Sequence, residues 1–320
     1  MNRISRATAL LVAILISTPA FAAEFKFTDT PNFFDQTPDG KPIGPCHGGT
    51  VIDKEGNIYI TTDTERGILV FSHDGKFLRA FGPTRIHGLE LRNEKGVEYI
   101  YGARPNDHEV LKLSLDGTIE WTIHYPKEAG IYTNANGFKP CAVTVGPNGS
   151  IYVADGYGAN YVLIFDRDRN FVKAFGGPGE AEGKFKTCHG IALDTRQGKP
   201  LLFICNRNNN RVEYWDLDGN FVKVIQKDMR MPAAVNIRGD YAVIPELQGR
   251  VSLLDKDGNI VAQMGDNPNP KQRANYGLPP DQWQDGICNS PHGAALDKNG
   301  DIIVTEWSKF GHIHKFTRDK

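Results

Sequence analysis

Apolar residues in this chain come in short runs rich in Val, Ile, Tyr and Phe, separated by Asp-Gly, Asn-Gly and Pro-containing turns. Runs of that length and composition predict β-strands joined by hairpins. Residues 141–145, 151–155, 161–166 and 171–176 read as four consecutive strands, with Pro147-Asn148-Gly149 as the first turn. The same four-part pattern recurs around 57–61, 68–71 and 74–82, and again at 202–204, 211–216 and 218–224. Long stretches of helical periodicity are missing.

The units share a frame. Four of them open on a histidine: Cys46-His47-Gly48, Ile86-His87-Gly88, Cys188-His189-Gly190 and Pro291-His292-Gly293. Two more fit without it, at Pro140-Cys141-Ala142 and Pro232-Ala233-Ala234. The six register positions lie roughly 40 to 60 residues apart, close to the period of a propeller blade. The sixth unit has strands at 293–297, 301–305 and 312–316 and then runs out of chain, while residues 24–28 offer an unclaimed strand. The expectation is an all-β, six-bladed β-propeller over residues 24–320, its ring closed by the N-terminal strand, which leaves no exposed sheet edge.

Ring closure turns register into proximity. His87, His189 and His292 fall in blades two, four and six, about 120° apart around the axis. Three imidazoles converging in that way leave an open position on a bound ion, as catalytic zinc requires. His47, in blade one, reads as a pocket residue or a fourth ligand, and Cys141 stands at the register position opposite blade six. His73, His108, His124, His312 and His314 are off register and read as surface or strand residues. Each second strand runs antiparallel to its inner strand. Residues following the second strands therefore share the histidine face: Asp63 to Arg66, Arg104, Asp155 to Tyr157, Asn206 to Asn208, Glu246, Glu306 and Trp307.

Composition narrows the setting. Arg3 and Arg6 precede an apolar run from Ala9 to Ile16, and Ala20-Phe21-Ala22 offers a cleavage site. Residues 1–23 thus predict a secretory signal peptide and a periplasmic or secreted protein. No later stretch approaches the roughly 20 apolar residues of a membrane span, and a net charge of −1 argues against a nucleic-acid partner. The expected partner is a small-molecule or peptide substrate, with one propeller face open to a protein. The five cysteines, in an oxidising compartment, allow Cys46–Cys288 and Cys188–Cys205 disulfides as well as five small buried thiols.

The units resemble NHL repeats over nearly all of residues 24–320. The register histidines, with Tyr152-Val153-Ala154-Asp155-Gly156-Tyr157-Gly158-Ala159-Asn160 and Cys205-Asn206-Arg207-Asn208-Asn209-Asn210-Arg211-Val212, further resemble the peptidyl-α-hydroxyglycine α-amidating lyases. That resemblance implies a zinc-dependent carbon–nitrogen lyase that splits an α-hydroxyglycine into amide and glyoxylate. Zinc, or another divalent transition metal, would sit on His87, His189 and His292. Tyr157 would serve as catalytic base, and Arg207 as catalytic and substrate-binding residue. Arg66, two residues out of alignment, would be a second substrate arginine. Calcium is a further cofactor of the family, held there by an acidic residue after the blade-six histidine; here Gly293 occupies that position. Two other readings are a non-enzymatic NHL propeller that binds a protein or ligand, and a calcium-dependent lactonase-type hydrolase built on Glu306, Glu246, Asp155 and Asn206.

Overall fold

A computed structural model describes residues 25–34, 37 and 40–319. The stretch read as an export signal lies outside the described residues. The first strand, β1 (Phe27–Asp29), is followed by six groups. Blade one holds β2 (Thr50–Ile52), β3 (Ile58–Thr61), β4 (Ile68–Phe71) and β5 (Phe77–Phe81). Blade two holds β6 (Gly88–Glu94), β7 (Val97–Arg104), β8 (Glu109–Ser114) and β9 (Ile119–His124). Blade three holds β10 (Ala142–Val145), β11 (Ile151–Asp155), β12 (Tyr161–Phe165) and β13 (Phe171–Gly176). Blade four holds β14 (Cys188–Asp194), β15 (Leu201–Asn206), β16 (Arg211–Trp215) and β17 (Phe221–Gln226). Blade five holds β18 (Asn236–Arg238), β19 (Tyr241–Glu246), β20 (Arg250–Leu254) and β21 (Ile260–Met264). Blade six holds β22 (Pro291–Leu296), β23 (Ile302–Glu306) and β24 (Ile313–Arg318). This is the six-bladed propeller that the repeat predicts.

Each sheet is an antiparallel four-stranded meander in chain order, except the sixth, ordered β1-β24-β23-β22. There β1 pairs antiparallel with β24, Phe27 opposite Arg318 and Asp29 opposite Phe316. The two ends of the described chain thus meet in one blade. No helix among the described residues is long and apolar enough to cross a membrane.

The core is a ring of six interfaces between neighbouring blades. Val51, Tyr59, Ile68 and Val70 face blade two, packing on Ile100, Leu111 and Leu113. Ile52, Ile58, Ile60, Leu69 and Phe71 point the other way, onto Ala295 and Ile303 of blade six. Alternate residues of one sheet thus serve two interfaces. Both faces being buried explains why the second and third strands read as unbroken apolar runs. Burying each such side chain contributes roughly 1.5–3 kcal/mol.

Neither disulfide forms: all five cysteines are free and buried. Cys188 and Cys205 sit on paired strands but point to opposite faces. Cys188 packs between blades three and four, Cys205 between blades four and five. Cys288 packs between blades five and six, whereas the Cys46 backbone pairs with Ser308.

Candidate metal centre on the propeller axis

The register histidines meet. Ring centroids of His87 and His189 are 4.7 Å apart, those of His87 and His292 4.8 Å, and those of His189 and His292 4.8 Å. This near-equilateral triangle is what alternate blades of a six-fold ring should give. His47 lies against one edge, 4.9 Å from His87 and 5.1 Å from His292. His87, His189 and His292 are buried.

The glycine after each histidine explains how the rings come so close. A Cβ on Gly88 would lie 2.4 Å from the Cys141 carbonyl oxygen, and one on Gly293 2.7 Å from that of Gly48. Only a residue without a side chain lets neighbouring inner strands approach that far.

Backbone acceptors then aim the rings. His87 Nδ1 pairs with the Cys141 carbonyl at 2.8 Å, and His189 Nδ1 with that of Ala233. His292 makes a backbone hydrogen bond with Gly48. Each partner belongs to the opening of the next blade. Nδ1–H donation to a carbonyl fixes the tautomer and leaves Nε2 as a lone pair. The Nε2 atoms of His87 and His189 face Tyr157 Oη at 3.2 Å and 2.9 Å. His292 Nε2 is buried with no hydrogen-bond partner. Donor nitrogens of His47, His87 and His292 all lie within 4.8 Å of one another.

Charge follows from burial. With no carboxylate among their contacts, burial drives His87, His189 and His292 well below their ordinary range, and the Arg207 guanidinium adds to the effect. His47 falls to about 4 for the same two reasons. The cluster is neutral at pH 7, which is the ligating form.

Tyr157 and Arg207 complete the mouth. Gly156 and Gly158 flank Tyr157, and a Cβ on Gly156 would lie 2.2 Å from the Cys188 carbonyl oxygen, so the loop presses onto blade four. Arg207 Nη1 donates to Tyr157 Oη at 3.1 Å, its guanidinium 5.2 Å from the ring centroid. Burial pushes the Tyr157 phenol up to about 12, with Arg207 pulling against it. Trp307 stands 5.9 Å from His47 and lies against Tyr276, with ring centroids 5.0 Å apart and planes tilted by 34°. Below the rings the axis holds a cavity of about 40 Å³ lined by Gly88, Ala142, Gly190, Ala234 and Gly293, room for a few waters but not for a substrate.

Other expected residues go elsewhere. The Arg66 guanidinium turns onto the Pro42 and Ile43 carbonyls and the Thr37 hydroxyl. Asp155, Asn206, Glu246 and Glu306 are buried and do not line the mouth. Each ends a second strand and accepts a backbone N–H just ahead of its blade's register position: Lys139, Lys186, Arg230 and Asn289 respectively. The expectation that they share the open face fails because strand alternation turns them into the loop. Tyr276 was not legible in the repeat. It lies in the 233–292 interval, the longest between register positions, and that length is the one signal of an added segment.

No family model matches the chain. It is similar to NHL repeat-containing protein 3 of Homo sapiens, 27% identical over 197 residues, covering 59% of this chain and 54% of the human protein. The chain thus spans about half the length of that relative. Among solved structures it is similar to a streptogramin B lyase, with TM-score 0.60 and 17% identity over 92% of this chain and 98% of the other. It is equally similar to a putative gluconolactonase, with TM-score 0.60 and 14% identity over 92% and 98%. These likenesses establish a propeller architecture that enzymes also use.

Proposed function

We infer that this chain is an exported, metal-dependent lyase acting at the histidine mouth. The observation that carries this is the convergence of three neutral, tautomer-fixed imidazoles, one with an orphaned Nε2, beside Tyr157 and Arg207. A binding module has no need for such a point. His87, His189 and His292 are the proposed ligands for zinc or a similar ion, with His47 reaching the same place. All-nitrogen donors suit a transition metal rather than calcium.

The proposed substrate is a peptidyl-α-hydroxyglycine or a related hydroxylated compound with a carboxylate. The ion, when bound, supplies polarisation of the substrate hydroxyl. Arg207 offers a planar guanidinium for the carboxylate, and its contact with Tyr157 fixes both side chains. In the phenolate form, which Arg207 and a bound cation would favour against burial, Tyr157 Oη would take the hydroxyl proton as the C–O bond becomes C=O, and return it to the leaving nitrogen as the C–N bond breaks. The products are an amide and glyoxylate, and no redox partner is required. The roughly 40 Å³ axial cavity leaves the Tyr157–Trp307 side as the route of entry.

A lactonase-type reading fits less well. It calls for oxygen ligands at the mouth, and Asp155, Asn206, Glu246 and Glu306 are engaged inside the blades.

The test is glyoxylate release from an α-hydroxyglycine peptide, alongside metal analysis of the full chain and of a His87/His189/His292 triple alanine variant. About one ion per chain lost in the variant, together with glyoxylate release by the parent, supports the reading. Equal metal in both proteins would sink it.

A further inference from the structure

A second cluster of donor atoms lies away from the axis, where three segments of chain meet. Donor atoms of Cys288, Glu306 and His314 all lie within 4.8 Å of one another, and all three residues are buried. Cys288 ends the connection between β21 and β22. Glu306 ends β23, and His314 lies on β24. His314 Nε2 is 3.2 Å from Glu306 Oε1. His314 Nδ1 faces Asp29 Oδ1, on β1, at 3.7 Å. Asp29 Oδ2 in turn accepts the Gly286 N–H at 2.9 Å. His312 Nδ1 faces Glu306 Oε2 at 3.4 Å, its ring stacked on Trp283 with centroids 4.0 Å apart and planes 5° from parallel.

A network of hydrogen bonds does not account for this arrangement. Asp29 Oδ1 and His312 Nδ1 are buried without hydrogen-bond partners. Buried polar atoms are rarely left so, and an ion is one of the ordinary reasons. A thiol, an imidazole and a carboxylate together are also a good zinc donor set. The Asp29–His314 contact matches the second-shell pattern in which a carboxylate holds the far nitrogen of a metal-bound imidazole.

We propose that Cys288, Glu306 and His314 form a structural site for zinc or a similar divalent transition metal, with His312 as fourth ligand and Asp29 orienting His314. A tetrahedral ion at about 2.0–2.3 Å from each donor holds them roughly 3.5 Å apart, so the cluster draws in modestly on binding. The ion ties the N-terminal strand and the β21–β22 connection to blade six, four residues from His292. The site shares no ligand with the axial histidines and stands or falls independently of them.

Cobalt(II) tests it, because a cobalt–thiolate bond gives a near-ultraviolet charge-transfer band that histidine and carboxylate ligation does not. The full chain, stripped with chelator, is titrated with cobalt(II) chloride. The expected result is about two equivalents bound and a thiolate band. Cys288→Ser should lose the band and one equivalent, while the His87/His189/His292 triple variant keeps the band and loses the other. The wild-type spectrum decides even if a variant misfolds: saturating cobalt with no thiolate band overturns the proposal. So does a band that survives Cys288→Ser.

Discussion

In the metal-free protein two buried histidine clusters differ in charge, one neutral and one cationic at its central ring, and the difference lies in what faces each ring. On the axis, His87 and His189 give Nδ1 to backbone carbonyls and meet no carboxylate. A carbonyl compensates an imidazolium only partly, so burial wins and the rings stay neutral. In blade six, His314 is equally buried but stands between Glu306 and Asp29, beside the Cys288 thiol. Those groups outweigh desolvation and hold it well above its ordinary value. Glu306 is correspondingly pulled below the usual carboxylate range, by His312 first and then by His314. One cluster presents lone pairs to whatever enters the channel. The other, without an ion, balances charge inside a blade.

Substitution should separate the two most sharply. His292→Ala is expected to take lyase activity to background while the melting temperature of the metal-free protein changes little, because the blade interfaces do not include it. His314→Gln should do the reverse. It leaves Glu306 buried without its nearest cation, a loss of about 3–5 kcal/mol, and should spare most of the turnover per folded molecule. Activity assays and urea denaturation on both variants check this. A His292→Ala protein that unfolds as readily as His314→Gln would erase the distinction.

Tyr157→Phe sharpens the axial half. If Tyr157 moves the proton, kcat falls by roughly 10²–10⁴-fold with bound metal unchanged. The phenol also touches His87 and His189, so metal content decides between roles. Turnover lost together with metal would make Tyr157 a positioning residue.

The axial cluster was legible because a closed ring converts equal register into equal position. His47, His87, His189 and His292 needed no knowledge of loops, only of period. The blade-six cluster had no such key. Its members come from β1, from the β21–β22 connection and from two strands, at unrelated frame positions. The His312-Ile313-His314 spacing put both rings on one strand face, and their centroids are 4.1 Å apart, but nothing in the repeat placed Cys288 beside them. The second-strand ends misled for a different reason. Asp155, Asn206, Glu246 and Glu306 were placed at the correct end of the blades. The open face is reached instead by residues one or two places further on, Tyr157, Arg207 and Trp307, which the same reading had put at that end of the blades. Arg66 missed because its guanidinium fits carbonyls of the preceding loop, a contact with no sequence pattern.

Acid should reveal the same contrast in the metal-free protein. An unfolded histidine titrates near 6.5, and folded His47 at about 4. Above 6.5 neither state is protonated and this group contributes nothing. As pH falls from 6.5 towards 4 only the unfolded chain takes the proton, so stability drops by about 1.4 kcal/mol per pH unit for such a group. His87, His189 and His292 act in the same direction. His314 acts in the opposite one: its stabilisation is present below 6.5 and is lost as pH rises through its folded value. Denaturant midpoints across pH should therefore fall on acidification in the metal-free wild type, and fall less in the His87/His189/His292 triple variant. Equal slopes would mean that the axial rings are protonated in place.

The smallest expected effect concerns His47, and it decides which three nitrogens hold the ion. The ring triangle favours His87, His189 and His292, whereas the closest donor nitrogens are those of His47, His87 and His292. The two sets differ in one member. His189 is buried and has its Nδ1 fixed by Ala233, so it is pre-aimed. His47 is only partly buried and leans towards Trp307, so part of its ligation energy would go into ordering the ring. His47→Ala should therefore lower metal affinity by about tenfold, the range of an outer contact, while His189→Ala abolishes binding at the same chelator concentration. The reverse order in a zinc competition titration would transfer the third ligand to His47. It would leave His189 as the partner that holds Tyr157, through the 2.9 Å contact, over the substrate.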